Sequence, residues 1–270
     1  MPELPEVETI ARGLNNRVAG ERIESVWVGS KPEPLKSSPA AISRALERAT
    51  IRRVQRVGKH IVIDLSSSNG SASSQWIVHL GMTGRMLVCN PEAEVAKHTH
   101  LIARLSSGRE LRFVDSRRFG RLEVRESEFR GPGTEPLQIS VDEFAALFHR
   151  SKAPIKAALL NQKFLHGVGN IYADEALFRA GVRPRRPANT LTRAELKRLR
   201  AGLQAVLREA ISAGGSSVSD YVDADGEAGL FQLQHRVYGR QGEPCLVCKT
   251  PIKKIVVAGR GTHYCPKCQK

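Results

Sequence analysis

The 270-residue sequence contains no run of about 18 apolar residues, the length that a membrane-spanning helix needs. Its first residues, MPELPEVE, are acidic and lack the apolar core of a secretory signal peptide. We therefore expect a cytoplasmic protein with no membrane partner. Cysteine is also scarce, and four of the five lie near the C-terminus as two Cys-x-x-Cys pairs. This usage fits a reducing compartment and a bound metal better than disulfide bonds.

Acidic residues are few relative to basic ones. Lys and Arg number 42 against 27 Asp and Glu, which gives a formal net charge of +15. The surplus is not confined to a tail, so nucleic acid is the first partner to consider, with a general solubility role as the alternative. The hydrophobic content of 41% allows a sizeable core, and the length suits two domains.

The N-terminal half changes from a helical to a β pattern. Apolar residues recur at helical spacing from Pro5 to Val18, and Gly20 follows as a C-terminal cap. Between about 22 and 126, short alternating runs separated by Gly and Ser turns predict a β-sandwich or barrel-like domain. Segment 66–74, rich in Ser, is predicted to be a hairpin loop. The clearest strand runs cover residues 61–65, 76–80, 101–105 and 110–114.

The C-terminal half is mainly helical. Gly131–Pro136 marks an interdomain linker, and Thr192 with Glu195 forms a capping box at the start of a long helix. Segment 214–235 has no clear period and a length usual for a functional or disordered loop. The predicted helices cover 154–163, 171–180 and 193–213. The predicted α+β chain has a catalytic domain at 1–130, a linker region at 131–150, a DNA-binding domain at 151–235 and a cysteine-rich hairpin at 236–270.

The strongest single motif is Cys245-x2-Cys248 followed, after sixteen residues, by Cys265-x2-Cys268. This is the spacing of a four-thiolate zinc site. Four free thiols would leave a module of roughly 35 residues without enough core to fold alone. Because four thiolates leave no coordination position for water, the predicted Zn²⁺ is structural.

Gly259-Arg260-Gly261 lies between the two cysteine pairs. A tight turn at a hairpin tip would let the guanidinium enter a groove or bind a phosphate. A solvated turn is the alternative.

Lys59 conflicts with its local pattern. Strand alternation over 57–65 places it on the same face as the apolar residues Ile61 and Ile63. Such a lysine either extends to water or points into a site.

Pro2, Glu3 and Glu6 bring two carboxylates close to an amine that becomes the chain terminus if Met1 is removed. Acids near a helix start commonly just complement the helix dipole. Taken alone, the three residues therefore do not establish a site.

Four segments together resemble bacterial formamidopyrimidine-DNA glycosylase, also called 8-oxoguanine DNA glycosylase. They are Met1–Thr9, Lys59, Gly167–Glu175 and the four-cysteine module that contains Arg260, and they match in order along the whole chain. The resemblance implies an N-terminal β-sandwich with flanking helices, then a helix-two-turn-helix domain that ends in a zinc-finger β-hairpin. Double-stranded DNA with oxidised bases or abasic sites would bind in the cleft between the domains.

The resemblance also implies roles in catalysis. The mature N-terminal Pro2 would attack C1′ of the damaged nucleotide, form a Schiff base, and allow β- and then δ-elimination. Glu3 would serve as the acid-base residue, and Glu6 would support the site. Lys59 would be a proton donor or an electrostatic aid, and Arg260 would belong to the catalytic site and also bind DNA.

A third set of implied residues contacts DNA. Met82 and Phe119 are apolar wedges that fill the space left by the everted base, although each could instead be a core residue. Arg117 would hydrogen-bond the orphaned cytosine. The start of the helix at Asn170 is a ready anion site. The remaining implied contacts are His98, Arg118, Lys156 and Tyr238.

Segment 214–221 resembles the loop that closes on everted 8-oxoguanine, and its implied contacts are Ser216, Ser217, Val218 and Tyr221. This loop argues against an endonuclease VIII-like enzyme for oxidised pyrimidines, which is one alternative. A non-catalytic zinc protein that binds damaged DNA or RNA is another. A monomer associated with the nucleoid is expected. The sequence departs from the usual family pattern at Ser116, Thr99 and the long 66–74 loop, and Cys89 has no assigned role.

Overall fold

The structure, a computed structural model, describes residues 2–31, 33–66, 73–217, 221–224 and 226–270. The chain divides into two compact units. Unit 1 comprises Met1–Arg130 and Gly214–Leu230, and unit 2 comprises Gly131–Ala213 and Phe231–Lys270.

The described residues of unit 1 form a β-sandwich and two helices. Two antiparallel four-stranded sheets have the orders β1-β6-β7-β5 and β2-β3-β4-β8. Side chains of both sheets and of α1 form one hydrophobic core. The elements are α1 (Leu4–Val18), β1 (Ile23–Val28), α2 (Pro39–Leu46), β2 (Thr50–Val57), β3 (His60–Ser66), β4 (Ser73–His79), β5 (Arg85–Cys89), β6 (Thr99–Leu105), β7 (Glu110–Val114) and β8 (Arg121–Arg125).

The alternating pattern in the sequence explains this sandwich. Ile61, Ile63 and Leu65 on β3 point into the core, as do Trp76 and Val78 on the paired strand β4. The predicted first helix and the four strand runs are all present. Of the predicted hairpin loop at 66–74, residues 67–72 lie outside the described residues.

Unit 2 is built from helices and a β-hairpin. The long helix α6 begins with the predicted capping box, in which Thr192 accepts from the Glu195 N–H. Helix α5 packs against both α6 and the second hairpin strand. The elements are α3 (Val141–Phe148), α4 (Ile155–Leu159), α5 (Asn170–Ala180), α6 (Arg193–Ser212), two 3-10 turns (Ala188–Thr190 and Phe231–Gln234), β9 (Lys253–Val257) and β10 (Arg260–Tyr264).

The structure differs from the expected helix boundaries in unit 2. Helix α4 ends at Leu159, because Gln162 folds back and its side chain donates to the carbonyls of Leu160 and Val168. The expected helix 154–163 is therefore too long. The expected linker 131–150 contains α3, whose capping box of Ser140 and Glu143 was visible in the sequence.

Two segments of the C-terminal half lie in different units. Segment 214–230 belongs to unit 1, and its backbone bonds Glu6 of α1. The hairpin region 236–270 is part of unit 2, because β10 packs against α5. Among the described residues, no helix combines the length and the apolar composition needed to cross a bilayer.

Candidate active site and nucleic-acid interface

Pro2 and Glu3 directly precede helix α1 and both are buried. Glu3 is the N-cap residue, and its backbone N–H donates to Oε2 of Glu6 at 2.8 Å. The two carboxylates are 5% and 2% exposed, respectively. Both carboxylates therefore lie in the interior near Pro2, where a charged group needs polar partners, and not in solvent.

The second oxygen of Glu6 holds the segment that follows α6. Its Oε1 accepts the backbone N–H of Ser216 at 2.8 Å. Gly215 has a φ of +83°, and a Cβ there would lie 3.0 Å from Cγ and Oε1 of Glu6. The close approach of this backbone to Glu6 therefore requires glycine on two grounds.

Tyr221 and Ser217 close this segment on itself. The Tyr221 hydroxyl donates to the Gly214 carbonyl at 2.9 Å, and the Ser217 hydroxyl donates to the Tyr221 carbonyl at 3.0 Å. Burial, and then the nearby carboxylate of Glu6, raise the pKa of Tyr221, so its phenol stays a neutral donor. Val218, which the sequence also placed in this loop, lies outside the described residues.

Lys59 lies in the turn of the β2–β3 hairpin and not on a strand. Val57 pairs with His60, which leaves Gly58, at a φ of +61°, and Lys59 as the two-residue turn. The expected position on the apolar face of the strand is therefore wrong, because the strand begins only after Lys59. The side chain is half-buried.

Two histidines beside Lys59 are residues that the sequence reasoning missed. The rings of His60 and His79 lie 4.9 Å apart on neighbouring strands. Burial, and then the charge of Lys59, lower the pKa of His79; burial, and then His79, lower the pKa of His60 to about 4. Both are neutral at pH 7. Nδ1 of His79 accepts the N–H of Gly81 at 3.2 Å, which leaves Nε2 as the donor.

Met82 and Phe119 are exposed and not part of the core, at 41% and 53% respectively. The Arg117 guanidinium lies 4.8 Å from the centre of the Phe119 ring. A Cβ on Gly81 would lie 2.5 Å from the carbonyl carbon of Phe119, so the loops that carry Met82 and Phe119 are in close contact. Two apolar side chains and a cation are thus presented together.

A fully buried carboxylate, Asp115, fixes these two loops and was also missed from the sequence. Its Oδ1 accepts from the Thr83 hydroxyl and from the Arg117 N–H, at 2.5 and 3.2 Å. Its Oδ2 accepts from the Gly120 N–H at 2.7 Å.

Arg118 has a φ of +56°, and its Nη1 lies 3.9 Å from Oε2 of Glu33. His98 and both arginines are exposed.

In unit 2, Asn170 is the first residue of α5, and Gly169 before it is the N-cap. Its side-chain Nδ2 donates to the Gly261 carbonyl at 3.0 Å. The first turn of α5 is therefore joined to the β-hairpin. Lys156 is fully buried and also bonds this hairpin, so the structure places it in the interior and not on the surface.

Arg260 is exposed at the start of β10. The turn before it consists of Ala258 and Gly259, which have φ values of +48° and +74°. The tip therefore lies one residue earlier than the expected Gly-Arg-Gly turn, because Arg260 already pairs with Val257 in the ladder.

Tyr238 is half-buried between two histidine rings, with centroids 5.5 Å from His235 and 5.1 Å from His263. Its backbone is fixed by Glu175, a fully buried carboxylate that accepts the Tyr238 N–H at 2.9 Å. Glu175 also accepts the N–H groups of Arg236 and Val237. A carboxylate on α5 thus holds the chain that leads into the cysteine-rich hairpin.

The four predicted cysteines converge. Their sulfur atoms all lie within 4.8 Å of one another, and the Sγ–Sγ distances are 3.9 Å for Cys245 and Cys268 and 3.4 Å for Cys248 and Cys265. Tetrahedral zinc with Zn–S bonds of about 2.3 Å needs sulfurs about 3.8 Å apart. The cluster therefore fits one structural Zn²⁺, as the spacing predicted.

Comparisons with known proteins match this chain over its whole length. Three family models match in order: the formamidopyrimidine-DNA glycosylase N-terminal domain at residues 1–122, the formamidopyrimidine-DNA glycosylase H2TH domain at 131–222, and a zinc finger found in FPG and IleRS at 242–270. The formamidopyrimidine-DNA glycosylases of Solibacter usitatus and Geobacillus kaustophilus are 45% and 43% identical and align over all of both chains.

Solved structures agree. A Lactococcus lactis FPG mutant in complex with Fapy-dG-containing DNA superimposes with a TM-score of 0.90 at 32% identity, and both chains are covered completely. The MutM (FPG) protein of Thermus thermophilus gives 0.87 at 42% identity, over 99% of this chain and 98% of that one. The expected two-domain α+β fold with a four-cysteine zinc hairpin is confirmed, and the chain belongs to the formamidopyrimidine-DNA glycosylase family.

Proposed function

We infer that this protein is a base-excision repair enzyme that removes oxidised purines, 8-oxoguanine and formamidopyrimidines, from double-stranded DNA and then cleaves the strand at the abasic site. The full-length family match supports the reaction class. The observation that carries the site is the burial of Pro2, Glu3 and Glu6 at the start of α1, with the segment after α6 bonded to Glu6.

Pro2 is the proposed nucleophile, once Met1 is removed. A chain-terminal amine has a pKa of roughly 7.7 to 8.0, so about a tenth is unprotonated at neutral pH, whereas an ordinary lysine requires a large shift. Attack on C1′ of the damaged nucleotide by this secondary amine, with loss of the base and opening of the sugar ring, gives an iminium. This iminium has no proton on nitrogen to lose, so it remains a cationic electron sink for β- and δ-elimination.

Glu3 and Glu6 have different roles in the proposed reaction. Glu3 transfers the protons needed for departure of the base and for ring opening, a role worth roughly a hundred- to ten-thousand-fold in rate. Glu6 orients the Glu3 backbone through the 2.8 Å bond from its N–H. Lys59 supplies positive charge beside the lesion. His60 and His79 are neutral, so they add no positive charge of their own.

The proposed DNA contacts belong to both units. Met82 and Phe119 occupy the space left by the everted base, and Arg117 hydrogen-bonds the orphaned cytosine. Ser216, Ser217, Val218 and Tyr221 hold the everted purine. The proposed contacts to the rest of the duplex, mainly its phosphates, come from His98, Arg118, Asn170, Tyr238 and Arg260. Lys156, for which the family resemblance also implies a DNA contact, is fully buried. The protein acts as a monomer in the cytoplasm, on nucleoid DNA.

An endonuclease VIII-like preference for oxidised pyrimidines is the second candidate. A wild-type Lactococcus lactis Fpg has been crystallised with DNA that contains an oxidised pyrimidine, so a pyrimidine lesion is compatible with a related site. The docked segment Gly214–Ser217 favours the purine preference, because it corresponds to the loop expected to cover 8-oxoguanine.

Borohydride trapping tests the nucleophile, the reaction class and the lesion together. The protein is incubated with a duplex that carries 8-oxoguanine opposite cytosine, borohydride reduces the iminium to a stable amine, and the adduct is located by peptide mapping. An adduct on Pro2 is expected. Trapping only with an oxidised pyrimidine favours the second candidate, and DNA binding without any adduct rules out catalysis through Pro2.

A further inference from the structure

The ammonium group of Lys156 is fully engaged in the interior of unit 2. The side chain is 0% exposed, and so is its ion-pair partner Asp174, whose Oδ1 lies 2.7 Å from Nζ. Nζ also donates to the Thr262 hydroxyl at 2.8 Å and to the Gly261 carbonyl at 2.9 Å. Three oxygens thus lie within 3 Å of Nζ, two as hydrogen-bond acceptors and Asp174 Oδ1 as an ion-pair partner. Because the side chain is 0% exposed, this ammonium does not reach a DNA phosphate.

Asp174 connects the pair to the hairpin a second time. Its Oδ2 accepts the backbone N–H of His263 at 2.8 Å. One carboxylate on α5 thus bonds both the buried lysine of α4 and the backbone of β10. Loss of either charged member would leave the other ion in the interior without compensation, which is costly.

The bonds from Lys156 converge on the two peptide groups that follow Arg260. The Gly261 carbonyl accepts from Lys156 and also from Asn170, at 2.9 and 3.0 Å. The Thr262 hydroxyl accepts from Lys156 and donates to the Arg260 carbonyl at 2.9 Å. The lysine therefore holds the Gly261 carbonyl directly and the Arg260 carbonyl through the Thr262 hydroxyl, while the Arg260 side chain remains exposed.

We propose that Lys156 and Asp174 form a positioning pair that orients the backbone of Arg260 for DNA, and that Lys156 itself does not contact DNA. The proposal rests on the proposed function, because it takes Arg260 to be a DNA contact. It replaces the role that family resemblance suggests for Lys156. A zinc hairpin can form without this pair, but its arginine would then sample several orientations, which lowers affinity for DNA.

The test is a double-mutant cycle on the full-length, zinc-loaded protein. Binding to a duplex with an abasic-site analogue is measured for wild type, Lys156→Met, Arg260→Ala and the double variant. Lys152→Met is the matched control, because it removes an exposed lysine four residues away. Lys156→Met and Arg260→Ala are each expected to weaken binding about tenfold, and the double variant no more than Arg260→Ala alone. The control is expected to change binding less than threefold.

Asp174→Asn is the decisive second variant, because it leaves the lysine in place and removes only its charged partner. It is expected to weaken binding as much as Lys156→Met, with one zinc per chain retained. Direct contact of Lys156 with DNA predicts instead that Asp174→Asn binds normally and that the losses in the cycle multiply. Either result overturns the proposal.

Two further outcomes are also decisive. If Lys156→Met and Asp174→Asn weaken binding only in proportion to zinc loss, the pair merely stabilises the metal module, and the positioning role is wrong. If Arg260→Ala binds DNA normally, the proposed contact of Arg260 is wrong, and the positioning pair fails with it. A different result, in which Arg260→Ala weakens DNA binding but Asp174→Asn binds DNA normally, overturns only the positioning pair and leaves the proposed function intact.

Discussion

The backbone N–H of Ser216 donates to Oε1 of Glu6, 210 positions earlier in the sequence, at 2.8 Å. The other oxygen of the same carboxylate accepts the N–H of Glu3. One buried side chain thus connects the residue next to the proposed nucleophile with the base of the proposed lesion loop. A change at either end of this connection is expected to affect the other.

Glu6→Gln is expected to slow excision of 8-oxoguanine by roughly tenfold or more. An amide has a single acceptor oxygen, so it can bond only one of the two N–H groups and must present its own N–H₂ to the other. Single-turnover kinetics measure the loss. Glu24→Gln, on the exposed part of β1, is the control. An unchanged rate would show that the connection through Glu6 is not needed for catalysis.

Gly215→Ala and Gly214→Ala form a matched pair. Both glycines have a positive φ, +83° and +75°, so alanine strains both. A new Cβ meets Glu6 at 3.0 Å from position 215, but meets only the Cα of Gly229, at 3.6 Å, from position 214. Gly215→Ala is therefore expected to lose about tenfold more excision rate than Gly214→Ala at similar thermal stability. Equal rates for the two variants would contradict a role of the Glu6 contact in catalysis.

Zinc removal is expected to abolish DNA binding while unit 1 stays folded. The cysteine module depends on its metal, whereas the sandwich has its own core. Both tryptophans, Trp27 and Trp76, lie in unit 1, so tryptophan fluorescence follows its unfolding separately. A strong chelator should lower DNA affinity without shifting the fluorescence-detected urea midpoint. Unchanged affinity after verified zinc loss would remove the hairpin from the DNA contacts.

DNA binding is expected to weaken steeply with salt. The net charge of +15 and the exposed arginines imply several phosphate contacts, each of which releases counterions. A plot of log K against log salt concentration should be linear, with a slope that falls by about one for Arg260→Ala. A flat titration would exclude phosphate contacts as the basis of affinity.

The stability of unit 1 is expected to fall as the pH drops from about 6.5 to about 4. His60 has a folded-state pKa of about 4 because of burial and then the neighbouring His79, so over this window the unfolded chain binds protons that the folded chain does not. Its contribution to the free energy of unfolding has a slope of up to about 1.4 kcal/mol per pH unit. Urea titrations followed by tryptophan fluorescence measure this free energy of unfolding at each pH. His60→Gln should flatten the dependence, whereas exposed His98→Gln should not; identical curves would refute the assignment.

Local pattern was sufficient for much of this protein. The spacing of Cys245, Cys248, Cys265 and Cys268 predicted the metal site, because ligand spacing in a short hairpin already limits the geometry. The β runs and the helix from Pro5 to Val18 followed from periodicity. The capping signal at Ser140 and Glu143 was equally readable, although α3 was not predicted from it.

The sequence by itself determined the element types, the zinc ligands and the family motifs, since each depends on residues that are close along the chain. Only the tertiary structure decided which distant groups meet. Glu6 and Ser216 are joined through the fold, and Lys156 is buried because α4, α5 and the hairpin pack around it. Burial and long-range pairing depend on how elements pack, and no local pattern encodes the position of a partner that lies a hundred or more residues away.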